Sequence, residues 1–511
     1  MKERRVVLLL GAAAFLLYAF SAPSVVNGDG LGYLRPLKWN PNPAPVPGHL
    51  LYLPLLALLR RLSGGRTLEA ARLVNALAGA ATVVLAYGAF RRLVGGEGRA
   101  ALFGAIGLAC SWGVWAQAAD VETYALALAC LTAAVFLLSK WQGKACVYCA
   151  LGAGVSVGAA TLFHVENVLF FPCLAVWLLT GAAPRRVRRL HAGLAVASGG
   201  LVVAATYAAV AFGILGKTPA QAWTWFRGAG HGFVYLIRPY NLTDALQGLA
   251  RALVHAPYVH EADPAVVIGQ LFFGAAVLAA VTALVIVRRK ALPPLPYAAL
   301  AAWGAPYLVL GLLFFGTDPE RWVFLLPLLW LLFSAASPGR LGVWVAATLL
   351  ALNFVTAALP GLTDVGPRWR ARAVESVVDE GDLVVFPGHD WDEMIGFYDE
   401  RNVRVFPLTY FVATYGVEGA LAKLEGAVRS ARARGGQAWA VRVFEEDPGP
   451  RGWDELALIH FPRREAVAWL RGHFQVTPLE PIRGIPVFRL EEPSQKSEGS
   501  PPAASESRAV P

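Results

Sequence analysis

An aspartate, Asp29, lies in Asn27-Gly28-Asp29-Gly30, at the head of the first polar loop after the first long apolar run. A carboxylate just outside a bilayer suits a general base acting on a membrane-embedded substrate. Next, Pro45-Val46-Pro47-Gly48-His49 leads into Leu50-Leu51-Tyr52. Its Pro and Gly bend the chain back to the membrane and leave His49 and Tyr52 where a lipid phosphate could be met. Asp120, Glu122 and Tyr124 follow in the stretch Trp115 to Tyr124, then His164 and Glu166 in Leu162 to Asn167. Carboxylates flanked by so much apolar sequence are costly unless they face water, a cation or a hydrogen-bonding partner. Arg321, in Asp318-Pro319-Glu320-Arg321-Trp322, is the first choice for holding a phosphate bidentately.

Each residue has a plainer reading. Asn-Gly-Asp-Gly is ordinary turn chemistry, and a lone His49 is a common structural hydrogen-bonding residue. Glu122 and Tyr124 suit a helix start, and Arg321 with Trp322 suits interfacial anchoring. The loop 216–264, with Trp223, Trp225, Arg227, His231, Tyr235, Arg238, Tyr240, His255 and His260, is either a sugar-stacking, phosphate-binding lid or an interface belt. His and carboxylates are ordinary metal ligands, but no HxH or HExxH spacing accompanies His164 and Glu166. No cofactor is expected, a divalent metal being the lesser alternative.

The elements that must position these groups are apolar. Hydrophobic residues make up 56% of the chain and charged ones 16%, and runs of span length recur from residue 6 to 359, so this is a polytopic α-helical membrane protein. Eleven spans are expected: 6–24, 73–90, 100–119, 121–139, 145–163, 165–183, 193–215, 265–287, 295–316, 321–337 and 341–359. The opening Met1-Lys2-Glu3-Arg4-Arg5 and its apolar run read as a retained first span rather than a signal peptide. The net charge of +10 raises nucleic acid as a partner, yet the basic residues cluster at span ends, which fits the positive-inside rule instead. With the N-terminus cytoplasmic, the inner turns hold Arg91, Arg92 and Arg99; Lys140 and Lys144; Arg185, Arg186, Arg188 and Arg189; Arg288, Arg289 and Lys290; and Arg340. The chemistry-bearing residues then share the outer face. Arg60, Arg61, Arg66 and Arg72 break the charge rule there and are expected to snorkel around an interfacial helix at Leu50 to Leu59. The five cysteines all fall in or beside spans, and Cys146-Val147-Tyr148-Cys149 lacks a second ligand pair, so core packing is favoured over zinc or redox work.

The expected domains are a transmembrane unit 1–359 with outer loops 25–72 and 216–264, an extracytoplasmic unit 360–490 and a disordered polar tail 491–511. After Pro360, short strands (382–387, 403–407, 438–444) alternate with helical patterns (391–400, 417–434), which predicts a small α/β domain with a largely parallel sheet. Gly388, His389, Asp390 and Asp392 follow a strand end, as loop and cap residues or as an acceptor contact.

At these motifs the chain resembles the polytopic glycosyltransferases of the C-type fold, in particular the bacterial branch akin to protein O-mannosyltransferases. Asp29 matches the family's acidic residue in the first outer loop, PVPGHLLY at 45–52 its PPG-PLY-like segment, Trp115 to Tyr124 its WxQAxxxExY-like pattern, and Arg321-Trp322 its late Arg-aromatic pair. Pro45 stands where the usual motif has His. The resemblance implies an inverting transferase that passes a sugar from a polyprenyl-phosphate donor to a lipid, glycan or protein acceptor at the extracytoplasmic face of a bacterial inner membrane. It makes Asp29 the base with Glu122 beside it, gives the donor phosphate to Arg321, His49 and Tyr52, and gives substrate contacts to Asp120, Tyr124, His164, Glu166, Arg227 and His231. A lipid phosphate is its own activated leaving group, so no nucleotide loop is needed, and no Walker motif or glycine fingerprint occurs. The competing classes are a transporter or lipid flippase, which calls for polar residues in mid-span and broken helices, and a non-catalytic scaffold.

Overall fold

The computed structural model describes residues 2–24, 26, 28–39, 42–95, 98–227, 242–256, 264–288, 295–314, 316–336, 339–362, 367–387, 394–396, 403–444 and 463–491. The chain divides into two compact units, Met1–Asp364 and Val365–Pro511.

The first unit is helical. Apolar helices cover each of the eleven expected spans, but among the described residues six have the length and composition to cross a bilayer alone, seven if one bent pair counts as a span. Those at Val147–Phe163, Val165–Thr180 and Tyr297–Leu313 are shorter. Large apolar side chains such as Leu8, Phe272 and Trp344 are exposed, as lipid-facing positions are, while Trp115, Trp141, Trp177, Trp303, Trp322 and Trp330 are fully buried. In lipid there is little hydrophobic drive between helices, so close backbone approach has to hold them together. Gly154 and Gly158 provide it: a Cβ on Gly154 would stand 2.0 Å from the Ala195 carbonyl oxygen, which brings Val147–Phe163 directly onto Arg185–Ala208.

The expected straight span 100–119 is instead two helices, Gly98–Cys110 and Trp112–Ala119, bent by 60° at Ser111. A break at membrane depth frees carbonyls that must find donors inside the protein. Here Gly107 O accepts from Ser111 Oγ at 2.8 Å, Ala109 O from Tyr18 Oη at 3.1 Å, and Cys110 O from Asn353 Nδ2 at 2.8 Å. Trp330 Nε1 completes the arrangement on Ser111 Oγ at 2.9 Å. The bend ends in the acidic turn at Asp120. Tyr52–Leu62, at eleven residues, is too short to span and buries Tyr52, Leu53, Leu56 and Ala57.

Among its described residues the second unit carries five strands: β1 (Leu383–Phe386), β2 (Arg404–Pro407), β3 (Ala438–Val441), β4 (Gln475–Pro478) and β5 (Val487–Glu491). Their order is β2-β1-β3-β5-β4. Pairs β1–β2 and β1–β3 are parallel, and β3–β5 and β4–β5 antiparallel, so the sheet is mixed rather than largely parallel. The difference arises from β4 and β5, two short strands to which the sequence reading assigns no element. Buried Asp382 ties β1 to its neighbour, accepting from Gln437 N at 2.6 Å and Trp439 Nε1 at 2.8 Å. Gly388, His389, Asp390, Asp392, most of the expected helix 391–400 and the tail after Glu491 lie outside the described residues.

Candidate active site

Helix Thr67–Leu93 begins with polar residues on one face, and that face holds the acidic turn. Arg72 Nη2 lies 3.1 Å from Asp120 Oδ1, and Asp120 is 2% exposed. One turn on, Asn75 Nδ2 donates to the carbonyl oxygens of Asp120 at 2.7 Å and Glu122 at 2.8 Å. Arg72 therefore does not snorkel from an interfacial helix; it neutralises a buried carboxylate, which leaving unpaired is costly. Glu122 is buried in the same turn.

From Tyr52, whose hydroxyl is 3.5 Å from Asn75 Nδ2, a chain of rings leads onward. Tyr33 lies edge-on to Tyr52 and His49, at centroid distances of 5.0 and 5.7 Å. His49 Nδ1 is 3.2 Å from Phe163 O, and its ring is 4.8 Å from that of His164. His164 packs on Tyr124 at 4.3 Å and on Phe324 at 5.5 Å. Its Nδ1 is 3.8 Å from Glu166 Oε2, and Glu166 Oε1 is paired with Arg321 Nη1.

Arg321 is also 3.3 Å, through Nε, from Asp318 Oδ2. Asp318 and Pro319 open the 3-10 turn Pro319–Leu325 by an N-cap, Asp318 Oδ1 accepting the Glu320 N–H at 3.0 Å. Glu320 in turn accepts from Gln117 Nε2 at 3.2 Å, on the short helix that ends at Asp120. The circuit closes. Beside it, Arg251 Nη1 reaches Thr317 O at 3.4 Å.

The Asp29 backbone lies in the first turn of helix Gly28–Trp39 rather than in a free turn, a place where an acid is favoured by the helix dipole. Its side chain is outside the described residues. Its neighbour Gly30 packs on the acidic turn: a Cβ there would come 2.7 Å from Val121 O, between Asp120 and Glu122. Only a glycine allows that approach.

Of the residues singled out by sequence, His49, Tyr52, Asp120, Glu122, Tyr124, His164, Glu166 and Arg321 gather in this one buried cluster. Arg227 does not join it. It is exposed on helix Pro219–Arg227 with its guanidinium 5.9 Å from the Trp223 ring. That helix borders the 47–51 segment through Trp225 and Phe226, which contact Tyr207, whose hydroxyl donates to Pro47 O. His231 lies outside the described residues. Arg72, Asn75, Gln117 and Arg251 were missed as members. The available signal was polar side chains three residues apart, Arg72 and Asn75, at the head of an otherwise apolar helix.

Burial, and after it the Arg321 charge, hold the His164 imidazole well below its ordinary value, and burial brings His255 to about 4. Both stay neutral in the folded protein where the unfolded chain takes up protons. Folded stability is therefore full above about pH 6.5 and lost as pH falls below it, by up to about 1.4 kcal/mol per pH unit and group. Asp318 works in the opposite sense, its carboxyl pushed up by burial and held back by Arg321. Comparing wild type with His164→Asn isolates the first effect: the variant should lose less thermal stability between pH 7 and 5, and equal losses would contradict the assignment.

Among solved structures the chain is similar to ArnT from Cupriavidus metallidurans bound to undecaprenyl phosphate, with a TM-score of 0.59 at 16% identity, over 94% of this chain and 97% of that one. It is similar also to the oligosaccharyltransferase AglB from Archaeoglobus fulgidus in complex with an inhibitory peptide and a dolichol-phosphate, with a TM-score of 0.51 at 11% identity, over 96% and 74%. These likenesses give the C-type fold. Residues 47–212, which carry His49 through Glu166, match the family described as dolichyl-phosphate-mannose-protein mannosyltransferase. The chain is thus a helical membrane protein of the C-type fold with a segment similar to that family over residues 47–212. No curated protein matches it at a significant level. The matched motifs lie in the buried circuit, and Arg321 joins them from outside the matched segment. Among its described residues no three His, Cys, Asp or Glu side chains are grouped to hold a metal ion.

Proposed function

We propose that this protein is a membrane glycosyltransferase that moves a sugar from a polyprenyl-phosphate donor to an acceptor at the extracytoplasmic face, with inversion at the anomeric carbon. The observation that carries the reading is the single buried circuit joining Arg321 to the acidic turn on which the Asp29 helix begins. An acceptor hydroxyl attacks the anomeric carbon opposite the phosphate, and Asp29 takes its proton as the new C–O bond forms. The old C–O bond breaks and the phosphate leaves with the electron pair. Arg321, held in place by Glu166 and Asp318, meets the charge on that phosphate, and His49 and Tyr52 lie on the same side of the circuit as further donors. Glu122 supports the base, and Asp120, Tyr124, His164 and Glu166 shape the sugar pocket. That two proteins of this fold are seen with undecaprenyl phosphate and dolichol-phosphate supports a polyprenyl-phosphate donor.

In this reading the N-terminus is cytoplasmic and the Val365–Pro511 unit extracytoplasmic, in a bacterial inner membrane, as the basic inner turns favour. The acceptor is a lipid, a glycan or a protein. The test is to incubate purified protein with a panel of polyprenyl-phosphate sugars and follow release of polyprenyl phosphate. Release from one donor supports the reading; none from any donor, with a folded sample, opposes it.

The reaction as written takes no cofactor, because the leaving group is already activated and its charge is met by Arg321. Chelation with EDTA should leave turnover unchanged. A loss restored by added divalent ion would contradict this.

A further inference from the structure

A pair of cysteines stands at the opposite ends of two of the helices that carry the site. Helices Tyr124–Lys144 and Val147–Phe163 bear Tyr124 and His164 at one end and are joined at the other by Ala145 and Cys146 alone. Ala145 adopts a left-handed conformation, φ 47°, and Cys146 is extended, φ −72° and ψ 124°, as the N-cap residue of the second helix. Cys149 follows one turn in, its N–H bonded to Cys146 O at 3.1 Å. This i, i+3 placement puts the two cysteines on one side of the first helical turn. Both residues are half-buried, Cys149 packing in part against the helical core, and Tyr148 between them is 80% exposed, whereas Cys110 and Cys173 are buried.

Reactivity follows from the thiolate, which helix N-termini and neighbouring donors stabilise. Metal ligation is a poorer use of the pair, since among the described residues it has no third ligand nearby.

We propose that Cys146 and Cys149 form an accessible dithiol that undergoes reversible exchange with small disulfides of the glutathione class. The Cys146 thiolate attacks one sulfur of the small disulfide, forming a mixed disulfide and releasing one thiolate, which takes a proton from water. Cys149, its proton lost to solvent, then attacks Cys146 Sγ and releases the second thiol. Two protein thiols are oxidised to one bridge, and one small disulfide is reduced to two thiols. The bridge closes a loop of one helical turn.

The test uses full-length protein in detergent, equilibrated against graded ratios of glutathione to glutathione disulfide, acid-quenched, alkylated and mapped by mass spectrometry. The peptide containing both cysteines should lose the mass of two hydrogens and resist alkylation at oxidising ratios, and recover both thiols at reducing ones. Cys149→Ser should instead accumulate glutathione on Cys146, while Cys110 and Cys173 stay unmodified in every sample. Absence of the bridge at all ratios, or stable glutathione on Cys146 in the wild type, would overturn the proposal. The readout is covalent and independent of sugar transfer, so its outcome stands apart from that of the proposed function.

Discussion

Asp29→Asn is expected to cut sugar transfer by about two to four orders of magnitude while the protein remains folded and abundant in membranes. The amide keeps the size and most of the hydrogen-bonding capacity of the carboxylate but cannot accept the acceptor's proton. General-base catalysis contributes about 10²- to 10⁴-fold in rate, so kcat should fall by that factor with little change in donor binding. Stability should not change much, since the helix Gly28–Trp39 retains its first turn and Gly30 retains its contact with Val121. The measurement is steady-state release of polyprenyl phosphate by the two purified proteins, with thermal unfolding as the control for folding. Full turnover by the variant would remove Asp29 from the mechanism.

Arg321→Ala should be worse for the protein as a whole. Glu166 and Asp318 would be left buried without their shared cation, and breaking a buried pair in this way costs about 3–5 kcal/mol. Low membrane abundance is the expected outcome, which by itself would say nothing of chemistry. Arg321→Lys separates the two effects. Lysine keeps the charge between the two carboxylates but loses the planar fork, so a folded protein should result whose kcat/KM falls about ten- to a hundredfold, the worth of one charge-assisted hydrogen bond at about 1.5–3 kcal/mol. A lysine variant with unaltered donor turnover would leave Arg321 a purely structural residue.

Much of this site was legible because its members are polar residues stranded in apolar sequence. Asp120, Glu122, His164, Glu166 and Arg321 all interrupt runs that otherwise read as spans, and burial of such groups without partners is expensive. What the sequence does not display is who the partners are. Arg321 meets Glu166 across 155 positions and Arg72 meets Asp120 across 48, and no local periodicity encodes either meeting. Arg72 was misread for that reason: counted with Arg60, Arg61 and Arg66 it looks like an interfacial cation, and only the tertiary pairing separates it from them.

The helix pattern was similarly legible in type and less so in shape. Apolar periodicity located every run, yet the bend at Ser111 is invisible to it, because a serine inside an apolar stretch is compatible with an unbroken helix. The break is stabilised by Tyr18, Asn353 and Trp330, which come from three other helices. In the second unit, β1, β2 and β3 were readable as short apolar runs, whereas β4 (Gln475–Pro478) has no buried residue of its own to mark it. Its place is set by pairing with β5.

The most direct test of the account is a structure of this protein with a polyprenyl phosphate bound. The account predicts the phosphate within hydrogen-bonding distance of the Arg321 guanidinium, beside His49 and Tyr52, with the Asp29 carboxylate facing the position an acceptor oxygen would take. A phosphate seated instead at the basic turns around Arg91 and Arg92, or an Asp29 side chain pointing away from the Asp120–Glu122 turn, would contradict it.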